Sequence, residues 1–408
     1  MNILIINHYA GSPQYGMEFR PYYLAKEWIK SGHQVLIVGS TFSHLRKIQP
    51  KRGKQNIDGI EYFWISGNKY KGNGIGRVIS MFSFVLKLFL NYKSLIKNNK
   101  PDVVIASSTY PIDNVAARFY AKKTGAKYIY EVHDLWPSSP IELGGMSKDH
   151  PFIRIMQWAE DFAYKNCDAV VSMLPNAQEH MLEHGLKRDK FYCVPNGIVE
   201  DDWKNPEQLP IEYQKLITKL KAHSFIVGFA GAHGIANSLK ALIDAVATLV
   251  NDQIVLVLVG TGQEKEHLMS YVSNKDIKNV YFFPPISKYQ IPTFLNQMDA
   301  LYIGLQKQSL FRFGISPNKI FDYMMAEKPI VQAIEAGNNL VEEAKCGIYV
   351  EPDNTDAIAK AILQLKNSEK YILFEYGQNG KKYVLENHTY DVLAMRFLNI
   401  IQSLKATF

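Results

Sequence analysis

Apolar and polar positions alternate along the first half of the chain in a regular rhythm. Short continuous apolar runs occur at 3–6, 35–38, 60–65, 103–106, 128–132, 169–171 and 191–194, with helical spacing between them, as at 21–30 and 112–123. Strands apolar on both faces belong in a parallel sheet covered by helices on each side. The rhythm breaks after Pro195-Asn196-Gly197, where 200–212 is polar and rich in acids. It then restarts, with strands expected at 225–230, 254–260, 280–283, 300–304, 330–333 and 347–350. Helices are expected at 238–250, 263–273, 288–296, 319–326 and 355–365, and a last one at 389–404. The fold class that follows is α/β, with two Rossmann-like domains whose parallel sheets face each other across a cleft. The expected domains are 1–197 and 198–387, with a C-terminal helix in 388–408 packing back onto the first. Ligands of open α/β sheets bind beyond the carboxyl ends of the strands, so the cleft is the expected site.

Composition narrows the class. With 408 residues the chain is too long for one ordinary core, and 47% hydrophobic and 21% charged residues describe a folded globular protein. Cys167, Cys193 and Cys346 are far apart and form no metal-spaced cluster, which suggests a reducing compartment. The start, Met1-Asn2-Ile3-Leu4, reads as a first strand and not as a leader, so a cytoplasmic protein is expected. The net charge of +7 is uneven: 44–54 holds Arg46, Lys47, Lys51, Arg52 and Lys54 with no acid among them. On a helix, 77–97 puts Ser80, Ser83, Lys87, Asn91 and Ser94 on one stripe and is otherwise almost wholly apolar. Its uninterrupted apolar run is shorter than the ~20 residues that span a bilayer. Such a helix is either buried or lies on an anionic membrane surface, so peripheral contact through 44–54 and 77–97 is an open expectation. No nucleic-acid-binding motif is present, and none is expected to act.

Candidate chemistry lies at the strand ends. The segment 311–329 leaves one apolar run, opens a helix near Pro317 and leads to the next run. Free amides in a first helical turn hold anions, and Asp322 in the second turn can accept from paired hydroxyls. A diphosphate cradle beside a ribose carboxylate suits a nucleotide-sugar enzyme. The first loop offers Gly11 and Gly16, with Arg20 as a bidentate phosphate partner. His133-Asp134 leaves an apolar strand, where it can hold a hydroxyl or move a proton. The turns around Gly231 and Gly260-Thr261-Gly262 are glycine-bearing, and no Asp-x-Asp metal signature is seen.

Together with Ser31-Gly32-His33-Gln34-Val35 and Val194-Pro195-Asn196-Gly197, these segments resemble the retaining glycosyltransferases of family 4, along essentially the whole chain. The wording of 16–25, Ser43-His44-Leu45-Arg46, Asp134-Leu135-Trp136-Pro137 and 314–319 is similar to the N-acetylfucosamine transferases of O-antigen and capsule assembly. The resemblance implies the GT-B fold, a uridine-diphosphate sugar as donor and a polyprenyl-diphosphate-linked saccharide as acceptor, with no metal or other cofactor. It implies donor-binding roles for Gly231, Gly234, Asn237, Gly260, Gly262, Arg312, Gly314, Ile315, Ser316, Pro317, Asn318 and Asp322. Acceptor-binding roles fall to Gly11, Gly16, Glu18, His44, Arg46 and Trp136, and catalytic roles to His133, Asp134, Lys319 and Arg20. Asp322 takes the place of the family's second donor carboxylate, while Gly314 stands where the first would be. Ala232 and Asn237 stand where many members carry an Arg and a Lys for the diphosphate. The missing carboxylate at Gly314 keeps open a non-catalytic sugar-nucleotide-binding partner, beside a nucleotide-sugar 2-epimerase or an exported sugar-binding protein.

Overall fold

The computed structural model describes residues 1–16, 18–46, 48–97 and 100–406. Met17 of the first loop, Lys47 of the basic segment, and Thr407 and Phe408 at the end of the C-terminal stretch lie outside them. The chain divides into two units: Met1–Asn196 with Phe313–Ser316 and the C-terminal stretch from Tyr390, and Gly197–Arg312 with Pro317–Thr389. The division thus falls one residue before the expected boundary, and a short piece of the segment after the fourth strand of the second sheet belongs to the first unit.

In the first unit the apolar runs become β1 (Asn2–Ile6), β2 (Gln34–Ser40), β4 (Ile60–Ile65), β5 (Val103–Ala106), β6 (Lys127–Val132), β7 (Ala169–Ser172) and β8 (Phe191–Cys193), joined by β3 (Gly53–Ile57). Their order is β3-β4-β2-β1-β5-β6-β7-β8, parallel throughout except that β3 runs against β4. In register, Ile5 sits beside Ile37 and Ile105, so the centre of the sheet is apolar on both faces. The strand β3 was not expected. Ile57 pairs with Ile60 across Asp58-Gly59, both at positive φ (52° and 86°), a tight hairpin for which Asp-Gly is the local signal. The chain winds outward from β1 in both directions, so the switch point lies between β1 and β5.

The second unit has one six-stranded parallel sheet: β9 (Phe225–Ala230), β10 (Ile254–Val259), β11 (Val280–Phe283), β12 (Ala300–Gly304), β13 (Ile330–Ala333) and β14 (Gly347–Tyr349). Its order, β11-β10-β9-β12-β13-β14, places the switch point between β9 and β12. Val227, Leu256, Leu258, Leu242, Ile243, Ile358 and Ile362 form the core on one face, where the helices Leu239–Ala247 and Thr355–Asn367 pack.

Two helices stand out in the first unit. The C-terminal helix Tyr390–Ala406 packs on the helix Arg20–Lys30 of the first unit. There Trp28 Nε1 donates to the Ala394 carbonyl at 3.0 Å, and its ring meets Phe397 edge-on at 5.3 Å. The helix Ile75–Ile96 links β4 to β5 and buries Met81, Phe84, Val85 and Leu88. Ser80, placed by its spacing on a polar stripe, is buried as well. The opposite face is apolar and open: Ile75 is 79% and Leu90 75% exposed, with Ile79, Phe82 and Leu86 between them. Among the described residues this is the one helix long and apolar enough to cross a membrane, but its buried face and its place as a crossover identify it as part of the first unit's fold.

Candidate functional site

At the switch point of the second unit, Gly231 follows β9 and β12 leads, through a loop, to the helix Asn318–Met325. Pro317 is extended and caps that helix instead of opening its first turn. Lys319 reaches back from the first turn, with Nζ 2.8 Å from Asn237 Oδ1 and 4.2 Å from the centre of the Phe229 ring. Asn237 is itself fixed by donating to the Ala232 carbonyl at 3.0 Å. A Cβ on Gly231 would lie 2.8 Å from Lys319 Cε, so glycine is what lets the lysine stem cross the end of β9. A Cβ on Gly260 would come closer still, 1.9 Å from the Gly231 carbonyl oxygen, one on Gly262 would meet the His233 backbone, and Gly234 faces open space. Burial draws the Lys319 ammonium down to about 8, because a charge is costly away from water.

Asp322, one turn further along that helix, is half-buried. Burial pushes its carboxyl up to about 7, against the Lys288 charge and the Trp203 hydrogen bond that favour the anion. His233 was missed by sequence reasoning. It is fully buried with neither ring nitrogen in a hydrogen bond, and burial together with Lys265 and Lys319 holds it at about 4, so it is neutral.

The other expected donor residues of this segment range from buried to exposed. Gly314 has φ 94°, a backbone that disfavours any side chain, so the glycine at this place is required by its own loop. Ile315 is buried. Ser316 accepts from Asn196 through Oγ (2.8 Å) and through its carbonyl (3.0 Å). Arg312 donates to the Ser309 carbonyl at 2.7 Å. Asn318 opens the helix.

In the first unit a polar cluster occupies the switch point. Asn7, after β1, donates from Nδ2 to Glu18 Oε2 (2.9 Å) and to the Ser107 carbonyl (2.7 Å). Thr109 Oγ1 donates to Glu18 Oε1 at 2.8 Å. Ser107 Oγ donates to Glu131 Oε2 at 2.5 Å and lies 3.0 Å from His133 Nε2, which is itself 3.4 Å from Glu131 Oε2. Burial opposes the charged ring, but the hydrogen bond and charge of Glu131, with Glu18 beyond, raise His133 above its ordinary value. Asn7, Ser107, Thr109 and Glu131 were not singled out in the sequence. A carboxylate inside the apolar run 128–132 was the available signal.

Two expected functional arginines are corrected here. Arg20 is buried and spends its guanidinium on Glu131 Oε1 (2.9 Å) and on the carbonyls of Pro195 (2.5 Å) and Val194 (2.8 Å). The donors proposed for phosphate are therefore occupied by protein. Burial would raise Glu131, yet Arg20, His133 and Ser107 hold it down at about 2. Arg46 is likewise buried, donating to the carbonyls of Ser40 and Ala10 and stacking over Trp64 at 5.2 Å. It braces the first loop from within. Of the other expected acceptor residues, Gly11 donates to the Glu18 carbonyl at 2.9 Å, and Gly16 turns the loop at φ 79°. His44 packs on Tyr70 at 5.1 Å. Trp136 meets Phe152 edge-on at 6.2 Å, and Asp134 is exposed.

Comparisons with known proteins agree with this architecture. Residues 15–202 match the model of Glycosyltransferase Family 4, and 224–368 match Glycosyl transferases group 1. The chain is 20% identical over 300 residues to a probable glycosyltransferase, WbjE, of Pseudomonas aeruginosa, covering 72% of each. It is 21% identical over 326 residues to WcaI of Escherichia coli strain K12, a glycosyl transferase whose name places it in colanic acid biosynthesis, covering 78% of this chain and 79% of that one. Among solved structures, sucrose-phosphate synthase from Thermosynechococcus elongatus superposes with a TM-score of 0.74 at 14% identity over 100% of both chains. Anabaena Alr3699/HepE in complex with UDP superposes with a TM-score of 0.69 at 17% identity, over 99% of this chain and 100% of that one.

Proposed function

We propose, for a chain that belongs to the glycosyltransferases these two family models describe, that it moves a sugar from a uridine-diphosphate donor to a lipid-diphosphate-linked saccharide, with retention at the anomeric carbon. The observation that carries the reading is Lys319, poised over the end of β9 at the switch point beside the glycine turns of β9 and β10. A cation and free peptide N–H groups there suit a diphosphate. HepE was solved with UDP and with UDP-glucose, which supports uridine diphosphate as the carrier.

In the reaction, the bond between the anomeric carbon and the β-phosphate oxygen breaks, and its electron pair goes to that oxygen. The acceptor hydroxyl attacks the same face and forms the new glycosidic bond, and its proton passes to the leaving phosphate. Lys319 and the peptide N–H groups of Asn318 and Lys319 offset the charge that grows on the diphosphate. The first unit takes the acceptor, with His133 and Ser107 presenting hydroxyl-directed groups. An N-acetylated 6-deoxyhexosamine such as N-acetylfucosamine is the proposed sugar, and bacterial surface polysaccharide the proposed product. The name of WcaI supports that setting, and transferase names among the relatives favour transfer over 2-epimerisation. The open apolar face of Ile75–Ile96, with Leu45 and Ile48 also exposed, is the proposed contact with the membrane that holds such an acceptor.

The test is calorimetric titration of UDP into the wild type and Asp322→Ala, with transfer assayed across a panel of UDP-sugars. Loss of a charged hydrogen bond to ribose is expected to raise Kd by roughly 10-fold or more. Equal affinities would remove Asp322 from the site, and a wild type that binds no uridine nucleotide would end the reading.

A further inference from the structure

Away from both switch points, the first unit holds a cluster that the transfer reaction does not use. The helix Pro151–Asn166 presents Gln157, Glu160, Asp161 and Tyr164, and the helix Gln178–Glu183 with its C-cap presents His180 and His184. The spacing i, i+4 puts both imidazoles on one face. Glu160 is fully buried, and among the described residues no lysine or arginine pairs with it. Its Oε1 accepts from Tyr164 Oη at 3.0 Å and lies 3.3 Å from His180 Nε2. His184 Nδ1 is 2.8 Å from Asp161 Oδ1, and the two imidazole rings are 4.6 Å apart. One ligand atom each from Glu160, His180 and His184 lies within 4.8 Å of the others.

We propose that Glu160, His180 and His184 form a divalent-cation site of the zinc, cobalt and nickel class, braced by Asp161. The donor set is two nitrogens and one carboxylate oxygen, the combination that borderline metals prefer over magnesium or calcium. The 3.3 Å between His180 Nε2 and Glu160 Oε1 is about the edge of a tetrahedron with bonds near 2.0–2.1 Å. A cation is also what the local charge lacks. Gln157 Nε2 spends its two hydrogens on Glu160 Oε2 at 2.9 Å and Asp161 Oδ1 at 2.8 Å, a neutral amide serving two carboxylates. Asp161, on His184 Nδ1, is placed to hold the ring, as carboxylates do behind metal-bound histidines. The histidines and Asp161 are partly open to solvent, which supplies an entry path, while Glu160 anchors the floor. Bound metal would clamp the short helix Gln178–Glu183 to Pro151–Asn166.

The protein stripped with a chelator is titrated with Co²⁺ alone, read by its visible absorption and by metal content after gel filtration. One equivalent per chain and a rise in Tm on loading are expected. Both are lost in His180→Ala/His184→Ala and in the single variant His184→Ala at a partly exposed position, which tests the site with less risk to folding. His267→Ala, at a surface histidine outside the cluster, keeps both. Absence of uptake by the wild type, or uptake unchanged in folded His184→Ala, would overturn the site.

Discussion

A lysine ammonium held between an aromatic face and a side-chain amide oxygen, with no carboxylate paired to it among the described residues, gives up its proton more easily than usual. That is the situation of Lys319, drawn down to about 8 by burial. A bound diphosphate favours the charged form, so above pH 8 binding must take up a proton. UDP affinity should fall as pH rises through about 8, by at most about tenfold per pH unit, and this slope should vanish in Lys319→Met. Calorimetry on both sides of that pH decides it, and a slope that survives in the variant belongs to another group. Arg20 shows the opposite use of a cation. Arg20→Ala leaves Glu131 charged and buried without its partner, at an expected cost of about 3–5 kcal/mol, measured by urea unfolding at neutral pH. Glu131 lies at about 2 in the fold against an ordinary 4.5, so its contribution is whole above 4.5 and is lost as pH falls toward 2. A variant as stable as the wild type would return Arg20 to the list of ligand-binding groups. Neither environment is written in the residue itself, because Arg20 and Lys319 both follow glycine-bearing loops at the start of helices.

At the scale of elements, the helix Ile75–Ile96 has two apolar faces and only one is covered. Its serines suggested a polar side, yet Ser80 turns inward while Ile79, Phe82, Leu86 and Leu90 turn outward. Periodicity alone could not tell which arc meets the sheet, since both arcs are apolar. If the open face lies on lipid, Leu86→Glu/Leu90→Glu should weaken binding to phosphatidylglycerol vesicles at least tenfold, from ~1–2 kcal/mol per leucine withdrawn from acyl chains. UDP affinity should stay unchanged, and vesicle co-sedimentation equal to wild type would remove the membrane contact. The hairpin of β3 and β4 was legible in Asp58-Gly59 but masked by the polar strand Gly53–Ile57. The helix Lys370–Asn387 gave little signal because it packs through Gly377 and Gly380. Gly377 lies against the Glu327 carbonyl and Gly380 against Cys346, contacts that leave no apolar stripe to read.

At the scale of the whole molecule, the two units share one construction principle but different chemistry at their switch points. The first gathers acids, hydroxyls and His133 around Asn7 and Ser107, while the second offers Lys319, glycine turns and a neutral His233. The chain also returns on itself, since the last helix covers Trp28 of the first unit after the second unit is complete. Every strand but the polar β3, and the break near Gly197, were determined by the sequence by itself, because burial on both faces of a strand imposes a local run of apolar residues. The same holds for the glycine turns that mark the strand ends. Only the tertiary structure decided that Arg20 and Arg46 serve the protein's own carbonyls, that Glu131 and Ser107 stand behind His133, and that Lys319 reaches Asn237. Those outcomes depend on which strands lie side by side, and strand order is set by hydrogen-bond registers between segments a hundred residues apart, about which local spacing carries no information.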